Sequence, residues 1–457
     1  MIGQTSPDAL SEQFGAENGF SGGALPGPST AGPSPATRLP QEIVDKIITY
    51  LIHDTPSLLT CSLTSRSWYI SVVPHLHHTL TTVITPHDNP AKIVWPGPLR
   101  VASEFGFLPF VTKLFINTEP GGKFSSTLFH HWTLREFSTL TNVQELSISR
   151  LDILSFMPET QRYFGQLSQT LRSLTLKAPV GTDRQIVFFV GLFPNLEDFE
   201  LEYGVLSFRV DPGDQTLVSH YFPSLRGRLT VGGHGGDGLA KAMIDLFGRV
   251  RFRHMRLSNV GGVQLLLYSC GDALETFQLH ATDLYGGKLS LKGVRVSTND
   301  FTDRHSLQDY DFSRNGSLRE LEIPAGSLNR ALMDHTPATT SSFLRTVLST
   351  ITSPAFSKVL IVYRSGNFYG FFSFEGEAAW YRRQFDAFRE MCKARDFQLV
   401  LQALDVGDRS ARELERAVAA ETARGGLPPG LSVTFPLGRP KDADAISAVG
   451  SRQTSPL

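Results

Sequence analysis

Gly233-His234-Gly235-Gly236-Asp237-Gly238 is the run in this chain whose spacing comes nearest to cofactor chemistry. It satisfies G-x-G-x-x-G, follows a strand-like run ending at Val231, and precedes a helix-like run from Leu239 to Phe247. In a dinucleotide fold such glycines bring the backbone onto a pyrophosphate at a helix N-terminus. An acid about 20 residues on then takes the ribose hydroxyl. Here the next strand-like run, Phe252 to Leu257, ends in Ser258-Asn259, and Asp237 sets a negative charge inside the turn. The loop reads first as a strand-to-helix connection, with a nucleotide-binding enzyme at Gly233 to Gly238 as a remote alternative. His75, His77 and His78 cluster after Pro74, but no third ligand stands near them in sequence, so they read as surface histidines. His130-His131 adds nothing more. Cys61, Cys270 and Cys392 are far apart and odd in number, with no C-x-x-C, which argues for a reducing compartment and against a disulfide framework or zinc site. No G-x-S-x-G elbow and no G-x-x-x-x-G-K-[ST] loop occurs. The expectation is a chain that is not an enzyme and needs no cofactor or metal.

Acidic residues at alternate positions form a second candidate set: Glu200 and Glu202 after Asp198, Asp309 and Asp311, and Glu320 and Glu322. Alternate residues of a strand share a face. Each cluster reads by default as a solvated face. Brought onto one surface, they would suit a basic protein segment.

The elements that would position these acids share one shape: apolar, two others, apolar, one other, apolar. It occurs as Val111-x-x-Leu114-x-Ile116, Val143-x-x-Leu146-x-Ile148, Leu171-x-x-Leu174-x-Leu176 and Leu196-x-x-Phe199-x-Leu201. Leu225-x-x-x-Leu229-x-Val231 carries one extra residue. Phe252-x-x-Met255-x-Leu257, Leu274-x-x-Phe277-x-Leu279, Leu307-x-x-Tyr310-x-Phe312, Leu318-x-x-Leu321-x-Ile323 and Phe356-x-x-Val359-x-Ile361 follow. Most intervals run from 22 to 33 residues, broken by one of 11 and one of 38. Phe193-Pro194-Asn195-Leu196 and Phe222-Pro223-Ser224-Leu225 lead into strands by the same turn. Helix-like segments lie between, such as Gln185 to Phe193. Strand, turn, helix, turn at this period resembles a leucine-rich repeat, and Leu307 to Asn315 completes its L-x-x-L-x-L-x-x-N form. The phase predicts Leu174 and Leu176 in the core, with Ser173, Thr175 and Lys177 on the open face. Glu377 to Lys393, with Trp380, Tyr381, Phe385, Phe388 and Met391 along one side, predicts a helix that closes the array.

Leu39 to Leu80 has a different texture. Ile43, Val44, Ile47, Ile48 and Leu51 recur on one helix face behind Leu39-Pro40, with Pro40 expected at the first helical position. Asp54-Thr55-Pro56 stops that helix. Leu58, Leu59 and Leu63 mark a second, and Trp68, Ile70, Val72 and Val73 a third. So small a unit cannot bury all of these faces against one another, which leaves apolar surface for a partner. The stretch resembles an F-box: Leu39-Pro40-Gln41-Glu42-Ile43 is its L-P-x-E-I opening, and Leu58 to Trp68 its leucine-rich second helix running into [ST]-x-[RK]-x-W. The resemblance implies docking on a Skp-type adaptor, and through it on a cullin-RING ligase. The adaptor contacts would fall on Leu39, Pro40, Ile43, Ile47, Leu59, Leu63 and Trp68, with Trp68 the best single anchor. Whether the flank with Val44 and Ile48 packs toward the repeats is left open by the sequence.

At 457 residues and 41% hydrophobic content the chain has room for two or three domains. A net charge of −1 and a pI near 6.9 give no general pull toward nucleic acid or membrane. No lysine or arginine precedes Arg38 and no apolar run follows Met1, so no signal peptide is expected. The location implied is intracellular, in cytoplasm or nucleus. The predicted organisation is α/β. A disordered arm covers 1–36, a three-helix F-box 37–82, and an irregular leucine-rich-repeat-like solenoid with its closing helix 83–400. In that solenoid parallel strands line a concave face and helices lie outside. A polar helix over Ser410 to Ala423 and a disordered tail complete 401–457. Taken together, the chain resembles the F-box/leucine-rich-repeat proteins of large fungal families. The implied function is substrate recognition in an SCF-type ubiquitin ligase, with an unknown protein as substrate. The alternative is a repeat scaffold whose helical unit caps the array, in which case Pro40 and Trp68 would be covered.

Overall fold

The computed structural model describes residues 39–84, 97–118, 139–151, 153, 164–203, 223–232, 238–258, 262–279, 310–324, 347–364, 397–404, 408–424 and 431–434. The predicted arm, the closing helix at Glu377 to Lys393 and the extreme tail lie outside these residues. Two compact units divide the chain, with the boundary between Leu76 and His77.

The first unit is three helices: α1 (Gln41–Tyr50), α2 (Thr55–Ser62) and α3 (Arg66–Leu76). Pro40 is the N-cap of α1, one residue before the expected position, and its carbonyl accepts from the Ile43 and Val44 amides. Asp54 caps α2: its carboxylate accepts from the Ser57 amide at 3.2 Å and the Ser57 hydroxyl at 2.6 Å. These bonds hold the Asp54 carboxyl below the usual range. Val44, Ile48, Leu58, Trp68 and Val72 form the core, with Ile47, Leu51, Cys61 and Leu76 packed at its margin. Val44 and Ile48 therefore close the core of their own unit, a division the sequence leaves open. Gln41 and Asp45, exposed on α1, also bond to α3. The Ser67 hydroxyl donates to Gln41 Oε1 at 2.8 Å, and the Ser71 hydroxyl to Asp45 Oδ1 at 2.6 Å.

The second unit is an α/β region built on one sheet of twelve parallel strands, ordered as in the chain. They are β1 (Thr79–Ile84), β2 (Lys113–Thr118), β3 (Glu145–Ser149), β4 (Ser173–Lys177), β5 (Asp198–Glu202), β6 (Arg228–Gly232), β7 (His254–Leu257), β8 (Thr276–Leu279), β9 (Glu320–Pro324), β10 (Lys358–Arg364), β11 (Gln398–Leu404) and β12 (Leu431–Thr434). The connections hold α4 (Gly97–Glu104), α5 (Asp183–Val190), α6 (Leu239–Phe247), α7 (Val263–Cys270) and α8 (Asp408–Ala423). A capping box starts α5, with the Gln185 amide donating to Thr182 Oγ1 and the Thr182 amide to Gln185 Oε1.

Register explains the apolar spacing. Leu80, Leu114, Leu146, Leu174, Phe199, Leu229, Met255, Phe277, Leu321, Val359 and Leu399 form one row across the sheet. All are buried. A second buried row runs from Ile116 through Ile148, Leu176 and Leu201 to Val231 and Leu257. The first apolar residue of the described copies, such as Leu171, Leu196 or Leu274, is buried just before its strand. Each such side chain contributes roughly 1.5–3 kcal/mol on leaving water.

Backbone bonds stitch each step to the last. The Arg172 carbonyl accepts from the Glu197 and Asp198 amides, and the Arg253 carbonyl from those of Glu275 and Thr276. Asn142 and Asn195 donate to the carbonyls of Pro109 and Gln169 at 2.7 and 2.9 Å.

Several expectations are revised by this register. Residues 79–82, assigned by sequence to the helical unit, pair with β2. β11 runs past residue 400, and β12 continues the sheet at 431–434, where a tail was expected. In the Leu307 to Phe312 copy the described residues 310–312 are not strand, and β8 pairs directly with β9. Phe312 is buried for another reason: its ring meets Phe277 edge-on at 5.3 Å. Asn315 is buried and donates to the Leu267 and Gly271 carbonyls, fixing the turn that leads into β9.

Candidate functional site

Apolar surface is concentrated on the three-helix unit. Leu39, Pro40, Ile43, Leu59 and Leu63 are exposed, with Ile43 at 44%, Leu59 at 51% and Leu63 at 87%. Ile47 is half-buried. Trp68 is only 9% exposed and sits among Val44, Ile48, Leu58 and Val72. From there it holds the helices together. Tyr50, Ile52, Tyr69 and Ile70 are also exposed and widen the apolar surface beyond the predicted set. Chain periodicity hid them, since they fall off the face that closes the core.

On the sheet, odd and even positions separate as their phase requires. Phe199 and Leu201 are buried, while Asp198, Glu200 and Glu202 are exposed. Glu320 is exposed on β9 and Glu322 half-buried beside it. The two acidic groups are not adjacent. β6, β7 and β8 lie between them, carrying Arg228, His254 and Arg256 on the same face. Glu320 also pairs with Lys358 at 3.5 Å. The single acidic surface expected from sequence is thus a face of alternating sign. Asp311 lies off the strands altogether. Its backbone exchanges two hydrogen bonds with the Gln264 side chain, and its carboxylate accepts from Tyr268 Oη at 3.1 Å. Bonds from the Ser313 backbone and hydroxyl, then from Tyr268, together with the Arg314 charge, hold that carboxyl below the usual range. Asp309 lies outside the described residues.

An open depression of about 510 Å³ occupies the middle of this face, lined by residues of β4 to β8 that include Thr175, Glu200, Arg228, Thr230, Arg256 and Gln278. The Thr175 hydroxyl donates to Glu200 Oε2 at 3.2 Å. Serine, threonine and glutamine between charged residues make it a surface for polar recognition.

The other sequence candidates are dispersed. His77 stacks on Phe107 with ring centroids 3.8 Å apart, and burial lowers its pKa. Among the described residues no three of His, Cys, Asp or Glu converge as a metal group. Cys270 is buried beside Met255, and burial pushes its thiol up to about 12. His130, His131 and Cys392 lie outside the described residues, as do Gly233 to Asp237. Gly238 is described, and its amide at the start of α6 donates to Asp183 Oδ2 at 2.9 Å. Among the described residues the strands keep chain order, without the point of reversal at which a dinucleotide crevice forms. Neither observation lends support to the remote nucleotide reading.

Among the described residues no helix is long and apolar enough to cross a membrane. No curated protein matches the chain. Residues 36–82 match the F-box-like family. That span covers all three helices and the exposed leucines between them, so the N-terminal unit of this protein is an F-box-like domain.

Proposed function

We propose that this protein is the substrate-recognition subunit of an SCF-type cullin-RING ubiquitin ligase. F-box domains bind Skp-type adaptors in such ligases. The observation that carries the reading is the solvent-facing apolar set Leu39, Pro40, Ile43, Leu59 and Leu63 on a unit that matches this family. These residues would dock on the adaptor, Ile47 would contribute its exposed edge, and Trp68 would hold their spacing from within. The parallel sheet would act as an irregular leucine-rich-repeat-like array, a reading supported by strands in chain order with helices in the connections. Its open face, including Glu200, Glu202, Glu320 and Glu322, would capture a protein substrate. The subunit would do no chemistry of its own, raising instead the local concentration of substrate lysines beside a charged E2.

The cap-and-scaffold reading required Pro40 and Trp68 to be covered. Pro40 is exposed, and Trp68 is covered by its own unit. Co-purification with a Skp-type adaptor tests the proposal, with loss of the complex expected for an Ile43→Asp, Leu63→Asp double variant.

A further inference from the structure

We infer that the open sheet face over β5 to β9 binds an extended protein segment whose charges alternate basic, acidic, basic at every third residue. The inference rests on the reading of that face as the capture surface. One row of the sheet carries it: Glu200 pairs in register with Thr230, Thr230 with Arg256, Arg256 with Gln278, and Gln278 with Glu322. Charge falls on alternate strands in the order minus, plus, minus, with neutral hydrogen-bonding side chains between. The row before it runs Asp198, Arg228, His254, Thr276 and Glu320 on successive strands, so the alternate-strand spacing belongs to the one row.

The spacing selects the ligand's conformation. Adjacent strands lie about 4.8 Å apart, so the charges recur at about 9.6 Å across the sheet. A polyproline II segment has three residues per turn at about 3.1 Å each, so every third side chain returns to one side after about 9.3 Å. A β-strand does not fit, since its same-side residues recur at about 6.7 Å. A helix brings every seventh residue round after about 10.5 Å. That repeat overshoots the charge spacing by about 0.9 Å at each step, against a shortfall of about 0.3 Å for the polyproline II segment. The polyproline II segment places a basic side chain over Glu200, an acidic one over Arg256 and a second basic one over Glu322. Thr230 and Gln278 face its backbone.

The test is fluorescence anisotropy with the full chain and labelled peptides of Pro, Ala and Ser. One carries Arg-x-x-Glu-x-x-Arg. Others carry the inverted order, a scramble, three arginines, or the same charges at helical seven-residue spacing. The first should bind about tenfold tighter than its inverse and its scramble, and lose that margin in high salt. A Glu200→Arg, Arg256→Glu, Glu322→Arg variant should reverse the preference. No preference, or a stronger response to the all-arginine or helical peptide, would overturn the inference. A Thr230→Trp, Gln278→Trp variant, confirmed folded by its melting curve, separates the two claims. If it retains the same proteins from lysate as wild type, the capture reading fails and the inference with it. If it loses them while the peptides show no preference, capture stands and the charge rule alone is wrong.

Discussion

Leu63 and Trp68 belong to one sequence motif and have opposite environments, 87% and 9% exposed. Trp68→Ala would leave a cavity among Val44, Ile48, Leu58 and Val72. That costs about 3–5 kcal/mol, more than a three-helix unit has to spare. Adaptor binding and helix content should be lost together, as circular dichroism melting would record. Leu63→Asp should leave the melt within about 0.5 kcal/mol of wild type while abolishing adaptor capture. His77 gives a pH signature in the second unit. Burial lowers its pKa below the ordinary 6.5, so the folded state favours the neutral ring stacked on Phe107. The associated stability is complete above 6.5 and is lost as pH falls from there through the folded value. His77→Phe should keep the stack and flatten the stability profile between about pH 7 and pH 5, read by denaturant midpoints.

The turns that lead into the strands make the element-scale prediction. A Cβ on Gly227 would strike the Asp198 carboxylate, which accepts from the Arg228 amide at 2.5 Å. Gly227→Ala should cost about 1–3 kcal/mol, and Asp198→Ala in the same chain should recover part of that loss, a coupling visible in a double-mutant cycle. Asn315→Ala should cost about 2 kcal/mol, since the Leu267 and Gly271 carbonyls lose their shared donor. At this scale the strands were legible wherever two inward residues followed a buried leader, as in Leu171, Leu174 and Leu176. β1 escaped because Thr82 takes a buried inward position, its hydroxyl without a hydrogen-bond partner among the described residues. β11 escaped because Phe397, Leu399 and Leu401 alternate strictly, without the two-residue gap. Leu307 to Phe312 misled for the converse reason, since Gln264 bonds the backbone at Asp311 and takes the place a neighbouring strand would fill. Local pattern gave the face of Glu200, Glu202 and Glu320, though not the place of Asp311, which lies off the strands. Which strands separate Glu200 from Glu320 depends on register, which no local pattern contains.

Across the whole molecule, an F-box-like domain is followed by a parallel sheet in chain order. The sequence resemblance located the first by motif, and periodicity located much of the second. Neither could say that the motif tryptophan faces inward, because a sequence pattern does not separate the residues that build a surface from those that form it. The central claim is that the exposed apolar set, and not Trp68, makes the adaptor contact. The measurement that tests it most directly is co-purification of the full chain with a Skp-type adaptor, beside Ile43→Asp, Leu63→Asp and Trp68→Phe variants whose melting curves are recorded in parallel. The account predicts that wild type and Trp68→Phe co-elute with the adaptor, while the double variant stays folded and elutes alone. A folded double variant that still binds, or a wild-type chain that never does, would contradict it.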